Sequence, residues 1–536
     1  MHFLQNSPQL PSKPHKFISP MILNNSILAR WLAGAQPGQA GTNAAFDSAP
    51  DAAKVQLPPY PRNGPIGVVH LGLGAFHRAH QALVFDALLR QGDARWGVLG
   101  VAMQNPALAD AMRQQDGLYA VQVASSAGVG WQVAGSIWRT CVAAREPSDV
   151  VSAIAAPATR WVTLTVTEKG YGPALANLLV QGLAARRAAG LGGLTLASCD
   201  NLSNNGRKLQ ALCIEAAQAP EFGNADSPTS PLAGWIETTC AFPNSMVDRI
   251  VPAATAQRLA AARLVLGVDD QAALGTEAFW EWVIERRFVD ATDAQVLGAA
   301  GVTVVDDVGP FEEAKLRLLN GSHTAMACIG ALAGLPVISD CIQQPAVHQF
   351  IRELMTREVG PQLHRPHWPA YRDALLSRFA NPALQHSVHQ IATDSSQKIP
   401  QRWPPSVQGA MQLGLPIERL AFAAAAWMRY LRGVDEQGRP YLINDPMAQA
   451  LQSLALAGAG NAAASIQALG RNGAIWGGQL VISNLWLARV EHWLGRIEQM
   501  GVLAALAQLN SEHSADPNST PIAAPRKSPP PASLSA

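Results

Sequence analysis

Ile66-Gly67-Val68-Val69-His70-Leu71-Gly72-Leu73-Gly74-Ala75-Phe76-His77 carries a short apolar run into a Gly-x-Gly turn, and a helical stretch at residues 81–89 follows directly. Strand, glycine turn and helix in that order form the arrangement that binds dinucleotides. Bare glycine backbone lets a pyrophosphate approach, and the phosphates then sit at the start of a helix. His77 stands where the fingerprint has its third glycine, so by itself the stretch reads equally well as a tight turn with no ligand. Further strands are expected at residues 96–101, 161–166 and 194–197, with helical stretches between several of them, as a parallel α/β sheet requires. Such sheets hold their ligands at the C-terminal ends of the strands. Two polar motifs fall there, Thr165-Val166-Thr167-Glu168-Lys169-Gly170-Tyr171 and Ser198-Cys199-Asp200-Asn201-Leu202. Asn201 can offer an amide donor to a developing alkoxide, and it can equally cap a helix or shape a turn.

The periodicity changes near residues 299–310. Beyond them it is helical, over 314–332, 346–356, 370–379, 384–393, 417–431, 447–454 and 480–503, punctuated by Pro336, Pro366, Pro369, Pro404 and Pro405. The expected architecture is an α/β Rossmann-like N-terminal domain with a parallel sheet (63–305), followed by a mainly α-helical C-terminal domain (306–509). Residues 1–62, rich in Pro, Gln, Asn and Ala, are expected to be a poorly ordered extension apart from a short helix around 27–33, with Met21 as an alternative start. The Ser/Pro/Ala-rich residues 510–536 read as a disordered tail.

The helical half opens on Glu312-Glu313-Ala314-Lys315-Leu316-Arg317-Leu318-Leu319-Asn320-Gly321-Ser322-His323, which places a lysine, an amide and an imidazole in an otherwise apolar helix. At ~100° per residue, Glu312, Lys315 and His323 share a face and Asn320 lies at its margin. An ammonium among apolar walls has its charged form disfavoured and becomes a usable general base. Of the eight lysines only Lys169, Lys208, Lys315 and Lys398 lie in the globular middle of the chain. The plainer reading is a snorkelling surface lysine beside hydrogen-bonded interior polar groups.

The other common routes to alcohol oxidation leave traces that are missing from this sequence. None of the six tyrosines has a lysine four residues later, and the six cysteines show no Cys-x-x-Cys spacing. His364-x-x-His367 and His386-x-x-His389 lack an adjacent third ligand, so no metal is expected.

Gly72-Leu73-Gly74-Ala75-Phe76-His77-Arg78-Ala79-His80-Gln81, the two polar motifs above, Phe242-Pro243-Asn244-Ser245-Met246-Val247-Asp248-Arg249-Ile250-Val251-Pro252, the stretch from Phe311 to His323, and Asp394-Ser395-Ser396-Gln397-Lys398-Ile399-Pro400-Gln401-Arg402 together resemble the ordered motif set of the mannitol dehydrogenase family, the polyol-specific long-chain dehydrogenases. The resemblance spans roughly residues 64–500. It implies a metal-independent, NAD-dependent oxidoreductase acting on a secondary alcohol or ketone of an open-chain sugar derivative, with a site drawn from both halves. It further implies Lys315 as the acid/base, Asn201 and Asn320 as the pair polarising the substrate oxygen, and His323 as a substrate-binding group. Asp248, Lys398 and Glu312 fall on the substrate side, Glu312 on the proton path to solvent. Arg402 is a candidate partner for a substrate carboxylate. Gly72, Gly74, Ala75, Phe76 and His77, with Glu168 and Lys169, fall on the cofactor side.

The run from Trp427-Met428-Arg429-Tyr430 through Gly433-Val434-Asp435-Glu436-Gln437-Gly438 to Asp445-Pro446-Met447 is closer to the fructuronate reductase (mannonate oxidoreductase) branch. The expected reaction is therefore reduction of fructuronate to mannonate. Ser387 replaces an arginine usual in that branch, Gln390 stands where mannitol enzymes tend to carry one, and the segment after Tyr171 is short. Polyol oxidation of the mannitol or arabinitol type stays open, as does a non-catalytic nucleotide- or sugar-binding regulator, which would not need Lys315. Residues 101–105 offer neither an acid for a ribose hydroxyl nor an arginine for a 2′-phosphate. NAD is thus expected from the resemblance alone and NADP stays open. The resemblance also favours a monomer.

Lys+Arg 40 against Asp+Glu 39 gives no basic excess for nucleic acid or an acidic membrane. With no apolar run of the ~18–20 residues that span a bilayer, no secretory-type N-terminus and no cysteine framework, a cytoplasmic location is expected.

Overall fold

The computed structural model describes residues 21–35, 37, 55–125, 128–222, 230–384 and 386–512. They divide into two compact units, one ending at Glu312 and the other beginning at Glu313.

The first unit is built on a five-stranded parallel sheet. Its strands lie in the order Ile137–Val142, Val98–Ala102, Val68–Leu71, Trp161–Leu164, Thr195–Ser198. Side chains alternate between the two faces of a strand, and here both faces are buried. Val68, Val98 and Trp161 enter one apolar core, while Val69, Leu99 and Val162 enter another. That is why these strands read as continuous apolar runs rather than as alternating ones. The helix Gln81–Arg90 contributes Ala82, Phe85 and Leu88 to the first core. Helices Pro173–Ala188, Asn205–Ala216 and Pro231–Thr239 supply Leu179, Leu209 and Ile236 to the second. The sheet is therefore doubly wound, with its first strand central. The chain winds one way from it to 98–102 and 137–142 and the other way to 161–164 and 195–198. The crevice this opens at the C-terminal ends of Val68–Leu71 and Trp161–Leu164 is the topological switch point, where α/β sheets hold ligands.

Two small sheets were not legible in the sequence. Tyr119–Ser125 pairs antiparallel with Gly128–Ala134 and parallel with Leu274–Glu277; Ser245–Asp248 and Thr303–Val305 flank Glu281–Glu285. The short helix expected around residues 27–33 of the N-terminal extension is present and packed. Helix Asn25–Leu32, capped by the Asn24 side chain, buries Ile27, Leu28 and Trp31 against Leu118, Trp131 and Leu266. Residues 1–20, 36 and 38–54 of that extension lie outside the described residues.

The second unit is helical. Gly321–Ala333 is buried from Gly321 to Leu332 and packs against Glu418–Tyr430, whose Ala421 and Ala423 to Ala426 are fully buried. Small side chains on both partners allow close backbone approach. The helix expected over 384–393 is a 3₁₀ turn, Pro382–Leu384, followed by the short helix Val388–Ala392. The one expected over 480–503 is divided by Gly501, at φ 84°, into Asn484–Met500 and Val502–Glu512. The expected tail from residue 510 thus begins inside a helix, where buried Asn510 donates its amide to Ala346 O at 2.9 Å. Residues 513–536 lie outside the described part.

Candidate active site

At the switch point, Gly72 has φ 103° and its N–H, like that of Leu73, donates to Val101 O at 2.9 Å. A Cβ on Gly72 would lie 2.2 Å from Thr165 O, so no other residue fits. Gly74 is the opposite case: an added Cβ would meet only Gly72 O at 3.7 Å, leaving bare backbone open to a ligand. Gly74 precedes the short helix Ala75–Ala79, on which Phe76 is partly buried. These residues fit a dinucleotide phosphate passing over the turn.

His77, expected on the cofactor side, is fully buried and stacked on His70 with ring centroids 3.3 Å apart. Its position is beneath the turn, where the third glycine of the fingerprint would otherwise allow closer packing. His70 contacts Thr163 Oγ1 at 2.8 Å, Thr165 Oγ1 at 2.9 Å and Gly72 O at 3.2 Å, and burial pushes its pKa down to about 3. A neutral imidazole pair therefore supports the glycine turn. Glu168 and Lys169 are exposed in the 3₁₀ turn after the fourth strand of the chain's parallel set, and Asn201 is exposed beyond the end of Thr195–Ser198. Asp248 is buried at the end of Ser245–Asp248, opposite Glu281.

In the second unit, the helical wheel drawn with α periodicity needs correction. Lys315–Asn320 is a π-helical turn between Gly309–Ala314 and Gly321–Ala333, and Gly321 donates its N–H to Leu316 O, the i→i+5 bond of a π turn. Such a turn winds more slowly, by roughly 85° per residue, than the ~100° of an α-helix. Asn320 then lies roughly 65° from Lys315 instead of ~140°, and His323 comes within roughly 20° of it. The π turn gathers Lys315, Asn320 and His323 onto one face. Glu312 precedes them by one turn and is half-buried.

Four neighbours fix this face, two by hydrogen bonds and two by ring contacts. Arg402 Nη1 donates to Asn320 O at 3.2 Å and to Thr324 Oγ1 at 2.5 Å, and Trp403 Nε1 donates to Gly321 O at 3.1 Å. Arg402, expected to meet a substrate carboxylate, thus spends one nitrogen holding the asparagine's backbone. His323 is buried with Phe379 at 4.6 Å and His386 edge-on at 5.4 Å between ring centroids. His386 belongs to this cluster although the sequence suggested no role for it beyond a ligand pair with His389. Lys398 donates to Thr393 O and, at 3.3 Å, to Ile391 O. Burial, and next the Arg402 charge, push its pKa down to about 8, while burial pushes Arg402 down to about 10. Arg317 pairs with Glu313 at 2.7 Å, a structural ion pair. Among the described residues no group of three or more His, Cys, Asp or Glu is arranged to hold a metal ion.

The sequence profile described as the mannitol dehydrogenase Rossmann domain matches residues 66–296, and that of the mannitol dehydrogenase C-terminal domain matches residues 307–497. The chain belongs to the mannitol dehydrogenase family. It is accordingly an oxidoreductase. Within the family it is 36% identical to a mannitol 2-dehydrogenase of Phaeosphaeria nodorum, over 85% of this chain and 83% of that protein. It is 38% identical to the D-mannonate oxidoreductase of Escherichia coli, over 72% of this chain and 84% of that protein. The mannitol 2-dehydrogenase of Pseudomonas fluorescens, solved as a ternary complex with NAD and D-mannitol, superposes with a TM-score of 0.75 at 30% identity, covering 92% of this chain and all of that one. No helix of the described residues is long and apolar enough to cross a membrane.

Proposed function

We propose that the protein is an NAD-dependent fructuronate reductase, interconverting a keto-sugar acid and a hydroxy acid. The observation that carries this reading is the cation pair Lys398 and Arg402. Two half-buried cations, each with its charged form disfavoured, favour an anionic ligand over a neutral polyol. The kinship with a D-mannonate oxidoreductase points the same way.

In this reading NAD, when bound at Gly72, Gly74, Ala75 and Phe76 with Glu168 and Lys169 nearby, supplies the hydride acceptor or donor. Lys315 takes the hydroxyl proton in oxidation and returns it in reduction. Asn201 and Asn320 donate to the substrate oxygen as charge develops on it, each contribution worth about 3 kcal/mol by analogy with oxyanion donors. His323 and Asp248 orient the sugar hydroxyls, and Glu312 passes the proton towards solvent.

A second reading, mannitol 2-dehydrogenase, is favoured by one specific feature. Ser387, beside His386, offers no charge for a carboxylate where the reductase branch carries arginine. NADH consumption with fructuronate, tagaturonate, fructose and xylulose, with Lys315→Ala as control, separates the two. Turnover of fructuronate above the others supports the proposal; turnover of fructose alone replaces it with the second reading. Turnover of none overturns both.

A further inference from the structure

The loop after Trp161–Leu164 contains a backbone conformation that its sequence disfavours. Thr167 has φ 66° and ψ 167°, a region that glycine enters and that a β-branched residue avoids. Such strain persists only where surrounding bonds over-determine it.

Here one carboxylate supplies those bonds. Asp200 Oδ1 accepts the Thr167 N–H at 2.7 Å, and Oδ2 accepts the Val166 N–H at 3.2 Å and the Tyr171 hydroxyl at 3.0 Å. Tyr171 is held in turn, its hydroxyl 2.5 Å from Ser198 Oγ. Asp200 is itself anchored from behind. Its N–H donates to Ser198 Oγ at 3.3 Å, and its carbonyl accepts from Asn205 Nδ2 at 3.1 Å, while Asn205 is tied to the Ser245 backbone in both directions. Asp200 is buried, whereas its neighbour Asn201, and Glu168 and Lys169 beyond Thr167, are exposed at the strand ends.

We propose that Asp200 is a positioning residue, holding Thr167 in its strained conformation and thereby fixing both Asn201 and the Glu168–Lys169 turn. The inference rests on the role given to Asn201 above. Two loops that follow different strands have no covalent reason to keep a common spacing. A single carboxylate that bonds two amides of one loop while belonging to the other sets that spacing. An amide donor displaced by ~1 Å loses much of its effect on the reacting atoms.

The test combines steady-state kinetics with NADH fluorescence titration on Asp200→Asn, Thr167→Gly and the double variant, with Asn201→Ala as reference. Asp200→Asn keeps the shape and replaces one acceptor oxygen with a donor. Its kcat should fall about 10- to 100-fold with KM for the sugar changed by less than about threefold, and its NADH Kd should rise several-fold. Thr167→Gly should restore part of that loss in the double variant, since glycine adopts the conformation without a clamp. The proposal is overturned if Asp200→Asn keeps kcat and NADH Kd within about twofold of the parent while Asn201→Ala loses activity. Losses that simply multiply in the double variant overturn it as well. Full activity in Asn201→Ala would instead sink the functional assignment, and the NADH titration, which needs no turnover, would still decide whether Asp200 fixes the Glu168–Lys169 turn. Should Asp200→Asn fail to fold, Tyr171→Phe removes one donor to the carboxylate and is read by the same two measurements, a smaller loss of the same kind being expected and parental values overturning the proposal.

Discussion

Lys315 and Asn320 are the first and last residues of one π-helical turn, which rotates the asparagine towards the lysine by roughly 75° relative to an α-helix. Deleting Leu316 would restore α periodicity and leave Asn320 roughly 40° and His323 roughly 20° from Lys315, so both stay on its face. The expected result is helical circular dichroism retained and turnover within about tenfold of the parent's. Loss of turnover to background in the deletion variant would show that the widened turn itself, beyond the shared face, is required.

Lys315→Ala should lower kcat by about 10²- to 10⁴-fold, the range for a general acid/base, and should flatten the pH–rate profile. Asn320→Ala should cost about 10²-fold in kcat with a smaller change in KM. Its carbonyl, which binds Arg402, is untouched by the substitution, so thermal stability should stay near the parent's.

Lys398 titrates near 8, lowered by burial. Its ammonium is present below that pH and lost above it, so KM for a sugar acid should rise as pH passes through about 8, while KM for a neutral ketose should not. A bound carboxylate stabilises the ammonium, moving the kcat limb to higher pH than the kcat/KM limb. Lys398→Met should abolish the KM rise, and persistence of the rise in that variant would assign it elsewhere.

Glu358 is fully buried and accepts the N–H groups of Arg419 and Leu420 at 2.7 and 2.9 Å at the start of Glu418–Tyr430. Burial pushes its pKa up to about 8, against the pull of the two amides and of the Arg419 guanidinium. A carboxyl raised on folding binds its proton more tightly in the native state, so this group's contribution to stability is full below its unfolded pKa of 4.5 and declines as pH rises towards 8. Urea midpoints at both ends of that window should show the decline in the parent and a smaller one in Glu358→Gln. Glu358→Ala, which strands Arg419 and two amides, should cost about 3–5 kcal/mol.

Gly72→Ala should abolish NADH binding in a fluorescence titration. The new methyl would meet the Thr165 carbonyl, backbone that cannot move aside, at a φ that alanine disfavours. Gly74→Ala has room in the unliganded protein, so its melting temperature should stay near the parent's while its NADH affinity falls.

The sequence by itself determined the elements whose burial leaves a local imprint. Val68-Val69-His70-Leu71 and Trp161-Val162-Thr163-Leu164 are buried on both faces and so read as strands, and the apolar repeat from Gly321 onwards marks the central helix. Family membership was legible for the same reason, since its motifs are contiguous. What the sequence left undetermined was set by partners distant along the chain. Tyr119–Ser125 became a strand by pairing with Leu274–Glu277, some 150 residues on. His77 was drawn under the glycine turn by His70. Arg402 was taken up by Asn320 and Thr324, and Asp200 was joined to Thr167 across two loops. The π turn at Lys315–Asn320 is of the same kind, because no periodicity of 3.6 announces a widened turn. Hydrophobic pattern is a property of neighbours in sequence, whereas hydrogen-bond partnership and backbone strain are properties of neighbours in space.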